Sequence, residues 1–143
     1  MATTVNPDKY IRKAVFDLIN NVVVSSNAIK CFDTRVSNNQ NITEYVLLTS
    51  QTKNVLKPNK CDYQWETSLL IEIYTKVSSA GNSGSRVFLN DIEQAVYTLL
   101  LPSISITGFD TLIQNITFET QLETVTDTEN IFRSFLRLNL TLI

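Results

Sequence analysis

The chain has 143 residues, 43% of them apolar and 18% charged, with a formal net charge of −2. That is one domain's worth of chain, able to bury a core, and it excludes a disordered polymer and a nucleic-acid-coating protein. Histidine is absent, which removes every His-based nucleophile, general base and metal site, and no run approaches the ~18 apolar residues of a membrane span.

Asn6-Pro7-Asp8 reads as a helix start: Asn caps, Pro takes the first helical position and Asp favours the positive end. Ile11, Ala14, Val15, Leu18, Ile19 and Val22 then recur at helical spacing, so the first helix is expected over about 7–21. Ile29 to Val36 predicts a short strand, and Tyr45 to Leu56 a second one beyond a turn at 37–41. Asp62 to Lys76 is the clearest strand. Tyr63, Trp65, Thr67, Leu69, Ile71 and Ile73 share one face, and Gln64, Glu66, Ser68 and Glu72 the other. Together these three predict an antiparallel meander. Ser78 to Ser85 is a Gly/Ser-rich loop lacking the spacing of a phosphate cradle, so it reads as a flexible surface loop. Phe88, Ile92, Ala95, Val96, Leu99 and Leu100 mark a second helix stopped by Pro102, capped by Asn90 with Glu93 or, if it starts earlier, by Ser85. Leu112, Gln114, Ile116, Phe118, Thr120 and Leu122 predict one long strand. After a turn at 126–130, Phe132, Leu136, Leu138, Leu140 and Leu142 alternate with Arg133, Arg137, Asn139 and Thr141 in the last strand.

The order is α-β-β-β-α-β-β, an α+β single domain over 1–143 with two helices packed on one side of a mostly antiparallel curved sheet. Charge divides along it. Residues 1–60 carry eight Lys/Arg against four Asp/Glu, and the remainder four against ten, so the two parts are +4 and −6. Such a division suits solvated faces, or subunits that meet positive to negative. Cys31 and Cys61 are isolated, so they make no metal site. A disulfide between them is left open, and reduced thiols are the expectation. The N-terminus shows no apolar signal region.

No constellation converges on catalysis. Glu119 and Glu123, four apart on one predicted strand, share a face about 13 Å apart at ~3.3 Å per residue, too far for a glycosidase-type pair. Cross-strand pairing with Arg133 or Arg137 accounts for them. Trp65 and Tyr63 read as core, with a stacking platform as the alternative. Leu70, Tyr74, Ile113 and Val125 fall on polar strand faces, which suggests a contact surface.

These elements resemble the tail-terminator or tail-completion proteins of bacteriophages, which form head-to-tail connector rings. The carriers are the opening helix, Arg35-Val36, Tyr45 to Leu48, Leu69 to Thr75 with the following Gly/Ser loop, the helix Ile92–Leu100, Gly108, the acidic turn 126–130 and Arg133 to Leu138. The chain departs from the family at Glu44, where a proline often precedes the aromatic of the second strand. The resemblance implies a structural virion protein of the neck or tail, assembled in the host cytoplasm. It would not be an enzyme and would carry no cofactor or metal. Its partners would be six or twelve copies of itself in a ring and the neighbouring connector and tail proteins. DNA would pass through only as cargo, and no membrane is implied. The expected subunit contacts are Lys9, Arg12 and Lys13 of the first helix, Ser79, Gly81, Asn82 and Gly84 of the loop, and Glu119 and Glu123. The competing class is a small-ligand-binding or catalytic α+β domain with a pocket lined by Trp65, Tyr63 and Phe118.

Overall fold

The computed structural model describes residues 5–33, 43–56, 63–78, 85–119, 121–125 and 129–143. Helix α1 spans Asp8–Ile19 and starts as its sequence predicts. Pro7 is already in the helical region, its carbonyl accepts the Ile11 N–H at 3.0 Å, and Asn6 Oδ1 accepts the Asp8 N–H at 2.9 Å. Ile11, Val15 and Ile19 are buried. The helix stops before Val22 because the β-branched run prefers extended backbone. Val22–Val24 (β1) and Asn27–Ile29 (β2) form a small antiparallel hairpin directly after the helix, taking in Val22, read with the helix face, and Ile29, expected to open the first strand. Its turn residues Ser25 and Ser26 have φ of 50° and 67°, the paired positive values of a type I′ turn.

The main sheet holds Cys31–Phe32 (β3), Glu44–Leu56 (β4), Gln64–Ser78 (β5), Thr111–Phe118 (β6), Leu122–Val125 (β7) and Glu129–Leu142 (β8). Its order is β3-β4-β5-β8-β6, with β7 also on β8. All pairs are antiparallel except β3 with β4. The expected meander is therefore corrected at its first strand: in the described part of that segment Ile29 closes β2 and Cys31–Phe32 form β3, laid parallel to β4, while 34–36 lie outside the described residues. The long strand expected over 112–122 is also corrected, because it divides into β6 and β7.

Helix α2 spans Ser85–Leu100 and so takes the early start, which leaves Asn90 and Glu93 inside it rather than at a cap. Both helices lie on one side of the sheet. Leu89, Ile92, Val96 and Leu100 of α2 and the three buried residues of α1 meet Leu69, Ile71 and Ile73 of β5 and Leu136, Leu138 and Leu140 of β8 in one core. The strict alternation of β8 makes this possible: Phe132, Ser134, Leu136, Leu138, Leu140 and Leu142 are all buried toward the helices. The other face of the sheet has no helix on it among the described residues. Each fully buried aliphatic side chain in this layer contributes about 1.5–3 kcal/mol, so the hydrophobic alternation, more than turn chemistry, fixes the register.

Candidate functional site

The outward residues of α1 separate into two kinds. Lys9 is exposed, with Nζ 5.5 Å from the Tyr10 ring centroid. Lys13 reaches only Asp17 one turn on, at 3.1 Å, and stays 71% exposed. Arg12, unlike the two lysines, is engaged within the subunit. Its Nη1 lies 2.7 Å from Asp33 Oδ1 and donates to the Leu48 carbonyl at 3.1 Å, while Nη2 donates to the Thr49 carbonyl at 2.6 Å. The cause is a bulge. Leu48 faces Ile71 and Gln51 faces Leu69, so Thr49 and Ser50 together oppose Leu70. A bulge leaves backbone groups outside the ladder, and a planar guanidinium can serve two carbonyls and a carboxylate at once. Lys53 binds Asp8 at 2.6 Å, and Gln51 Nε2 donates to the Asp8 carbonyl at 3.0 Å. The β4 edge is thus tied to α1.

The acidic candidates sit at the opposite edge, on opposite faces. Phe118 pairs with Leu136 but Leu122 pairs with Arg133, so the outer strand advances four residues against three on β8. That extra residue reverses the side-chain parity. Glu119 faces the helix-free side, where its Oε1 lies 3.2 Å from Arg137 Nε, one of the expected pairings. Glu123 turns to the helix side and lies 3.4 Å from Arg86 Nη2 on α2. Arg133 pairs with Glu72 of β5 at 3.8 Å, not with either of the two expected acids. The same reversal moves Val125 to the helix side, opposite to Ile113. Ser79, Gly81, Asn82 and Gly84 lie outside the described residues.

What distinguishes the β6–β7 edge is its apolar surface. Leu112, Ile113, Phe118, Leu122 and Val125 are all exposed, Val125 to 67%, and every residue of β7 is exposed. They fall on both faces, and the segment from Asp110 to Val125 carries three acidic residues and no Lys or Arg. Behind it, a polar cluster anchors α2 to the sheet. Glu93 accepts the hydroxyl of fully buried Ser134, and Gln121 Nε2 donates to Asn90 Oδ1 at 2.8 Å.

An apolar concavity lies between the helices. It has a volume of about 530 Å³ and is lined by Tyr10, Ala14, Leu18, Leu99, Pro102 and Ile104, with Lys13 and Asp17 also on its wall. Trp65, Tyr63 and Phe118 do not converge on a pocket. Trp65 packs against the core opposite Leu142, whereas Phe118 stands opposite Leu136 and against Tyr97, with ring centroids 5.0 Å apart. Six residues of β8 separate the two levels, about 20 Å at ~3.3 Å per residue. Cys31 is a buried free thiol, pushed up to about 12 by burial first and the Asp33 carboxylate second, against the opposing Arg12.

No family model matches this chain, and no curated protein does. Among solved structures it is similar to a chain of the virion of a native gene transfer agent (GTA) particle, with a TM-score of 0.51. The two are 11% identical in sequence, and the match covers 78% of each. At that identity the likeness is one of fold: two helices on one side of a mostly antiparallel sheet. The outer edge is the part of this fold where five large apolar side chains stay exposed among the described residues. No set of three His, Cys, Asp or Glu gathers for a metal among the described residues.

Proposed function

We propose that this chain is a structural subunit of a bacteriophage-like virion. Copies of it form a ring in the head–tail connector, which joins the head connector to the tail, completes or caps the tail, and lets DNA pass through its lumen. The single observation that carries this reading is the β6–β7 edge. An edge of two strands that exposes five large apolar residues, without lysine or proline to block further pairing, is a surface made to be covered. The fold shared with a chain of a GTA virion supports the setting.

The helix-free sheet face suits the lumen. Thr52, Ser68, Asn115, Asn139 and Thr141 run across it in neighbouring rows. Its two arginines are held by carboxylates, Arg137 by Glu119 and Arg133 by Glu72. Lys76 on the same face pairs with Glu129, and Glu66 adds a carboxylate, so the face carries no excess of positive charge, and such a wall passes DNA without gripping phosphates. The unblocked cations of α1 lie on the other side of the sheet, at subunit contacts or on the outside.

Negative-stain microscopy of the purified protein tests the assignment. The expected result is rings of six or twelve copies with a central hole wide enough for duplex DNA. A protein that stays monomeric at every concentration and salt sinks it. Stoichiometric zinc or iron, or turnover of a small-molecule substrate, would favour the competing binding or catalytic class.

A further inference from the structure

Resting on that ring reading, we infer which surfaces meet: the acidic, apolar β6–β7 edge of one copy docks in the groove between α1 and α2 of the next copy.

Three surfaces of the same chain could cover the open edge. The first is the same edge of another copy. That pairing joins two segments that each carry Asp110, Glu119 and Glu123 and no cation, and like charges across a strand pair destabilise it. The second is the β4 edge. There Arg12 occupies the carbonyls of Leu48 and Thr49, and Lys53 with Gln51 ties the strand to the start of α1. An edge with its carbonyls taken and a lysine on it resists an added strand. The third is the inter-helix groove. It is an apolar concavity of about 530 Å³, open to solvent, with Leu18 exposed within it.

Charge favours the same choice. Lys13 lies on the groove wall, largely exposed, and Lys9 stands one turn earlier with no acidic partner among the described residues. Asp17 is the one acidic residue among those lining the groove. Val125 shares a face with Glu123 while Leu122 lies on the other, so the edge brings Val125 into the groove as the Glu123 carboxylate nears Lys13. Arg86, 52% exposed at 3.4 Å, holds Glu123 only loosely in the single subunit. The two patches are different surfaces, as a head-to-tail contact requires for ring closure.

The test uses two variants of the full chain. One alters the edge, Leu122→Glu with Val125→Glu. The other fills the groove, Thr98→Trp with Lys13→Glu. All four positions are exposed, and circular dichroism with an unchanged unfolding midpoint verifies the fold. In sedimentation velocity the wild type is expected to assemble and each variant to lose assembly. Their equimolar mixture is expected to form dimers and nothing larger, since each variant keeps the patch that the other has lost. Assembly of either variant as in the wild type overturns the docking, as does a mixture that stays monomeric; both outcomes leave the ring reading standing. A monomeric wild type overturns both.

Discussion

At one edge of the sheet, β4 is tied down by the helix beside it, while at the other, β6 and β7 stand open. Both edges have the same backbone chemistry, a row of donors and acceptors facing outward. The difference lies in the side chains sent to them. Arg12, Lys53 and Gln51 close the first edge with contacts to Asp33, Asp8 and backbone carbonyls. Leu112, Ile113, Phe118, Leu122 and Val125 leave the second one bare. An edge strand is therefore left available or withdrawn by a handful of residues, without any change in sheet topology.

The most direct way to break this contrast is to give the open edge what the closed one has. Leu122→Lys with Val125→Lys should abolish assembly, read by sedimentation. Both sites are exposed, so unfolding stability should stay within about 0.5 kcal/mol of wild type. Persistence of assembly would show that the edge is not the contact.

The reverse experiment opens the closed edge. Arg12→Ala removes the partner of two carbonyls and of Asp33, and should cost about 2–3 kcal/mol in urea denaturation, with concentration-dependent aggregation as the second sign. Arg12→Lys should recover only part, because an ammonium cannot present a planar fork. Full stability of Arg12→Ala would mean that water serves those carbonyls equally well.

Much of this architecture was legible in the sequence. The alternation of β5 and β8 and the 3.6-residue spacing of both helices reflect burial, which acts on each segment separately, so sequence periodicity reports it. What escaped depends on one-residue shifts and distant partners. The bulge at Thr49 and Ser50 sits in a polar run with no pattern to interrupt. The extra residue between Phe118 and Leu122 placed Glu119 and Glu123 on opposite faces, although their spacing implied one. The hairpin at Val22–Ile29 turns on two serines with positive φ, where glycine or asparagine would have signalled it. Arg12 finds its carbonyls 36 and 37 residues away, which no local motif announces.

A smaller effect sharpens the comparison from behind the open edge. Ser134→Ala removes the hydroxyl that Glu93 accepts in the core, at a cost of about 1 kcal/mol. Gln121, which bonds Asn90 and lies next to β7, should then show faster amide exchange than in the wild type. Unchanged exchange there would uncouple the cluster from the edge.

An effect confined to alkaline pH belongs to Cys31, beneath the closed edge. Its folded pKa is raised from 9.0 to about 12, so the unfolded chain releases the thiol proton first as pH rises. Above pH 9 the unfolded state binds fewer protons than the folded one, and stability falls progressively toward pH 12. Below pH 9 this thiol contributes no slope. Urea titrations across that window should show a steeper decline for wild type than for Cys31→Val. Identical slopes would mean that the buried thiol is not what titrates.

The strand order also governs how the subunit is made. β8 lies between β5 and the β6–β7 edge, yet it follows all three in the chain. On a ribosome β5 emerges while its neighbour is still untranslated. At about 5–20 residues per second, the delay between Ser78 and Glu129 lasts seconds. Throughout it, one entire flank of β5 is without its partner, and nascent copies on one message carry the same bare flank side by side. Until β8 arrives, that flank of β5 is an unpaired edge, the kind of surface on which chains that fold late associate wrongly.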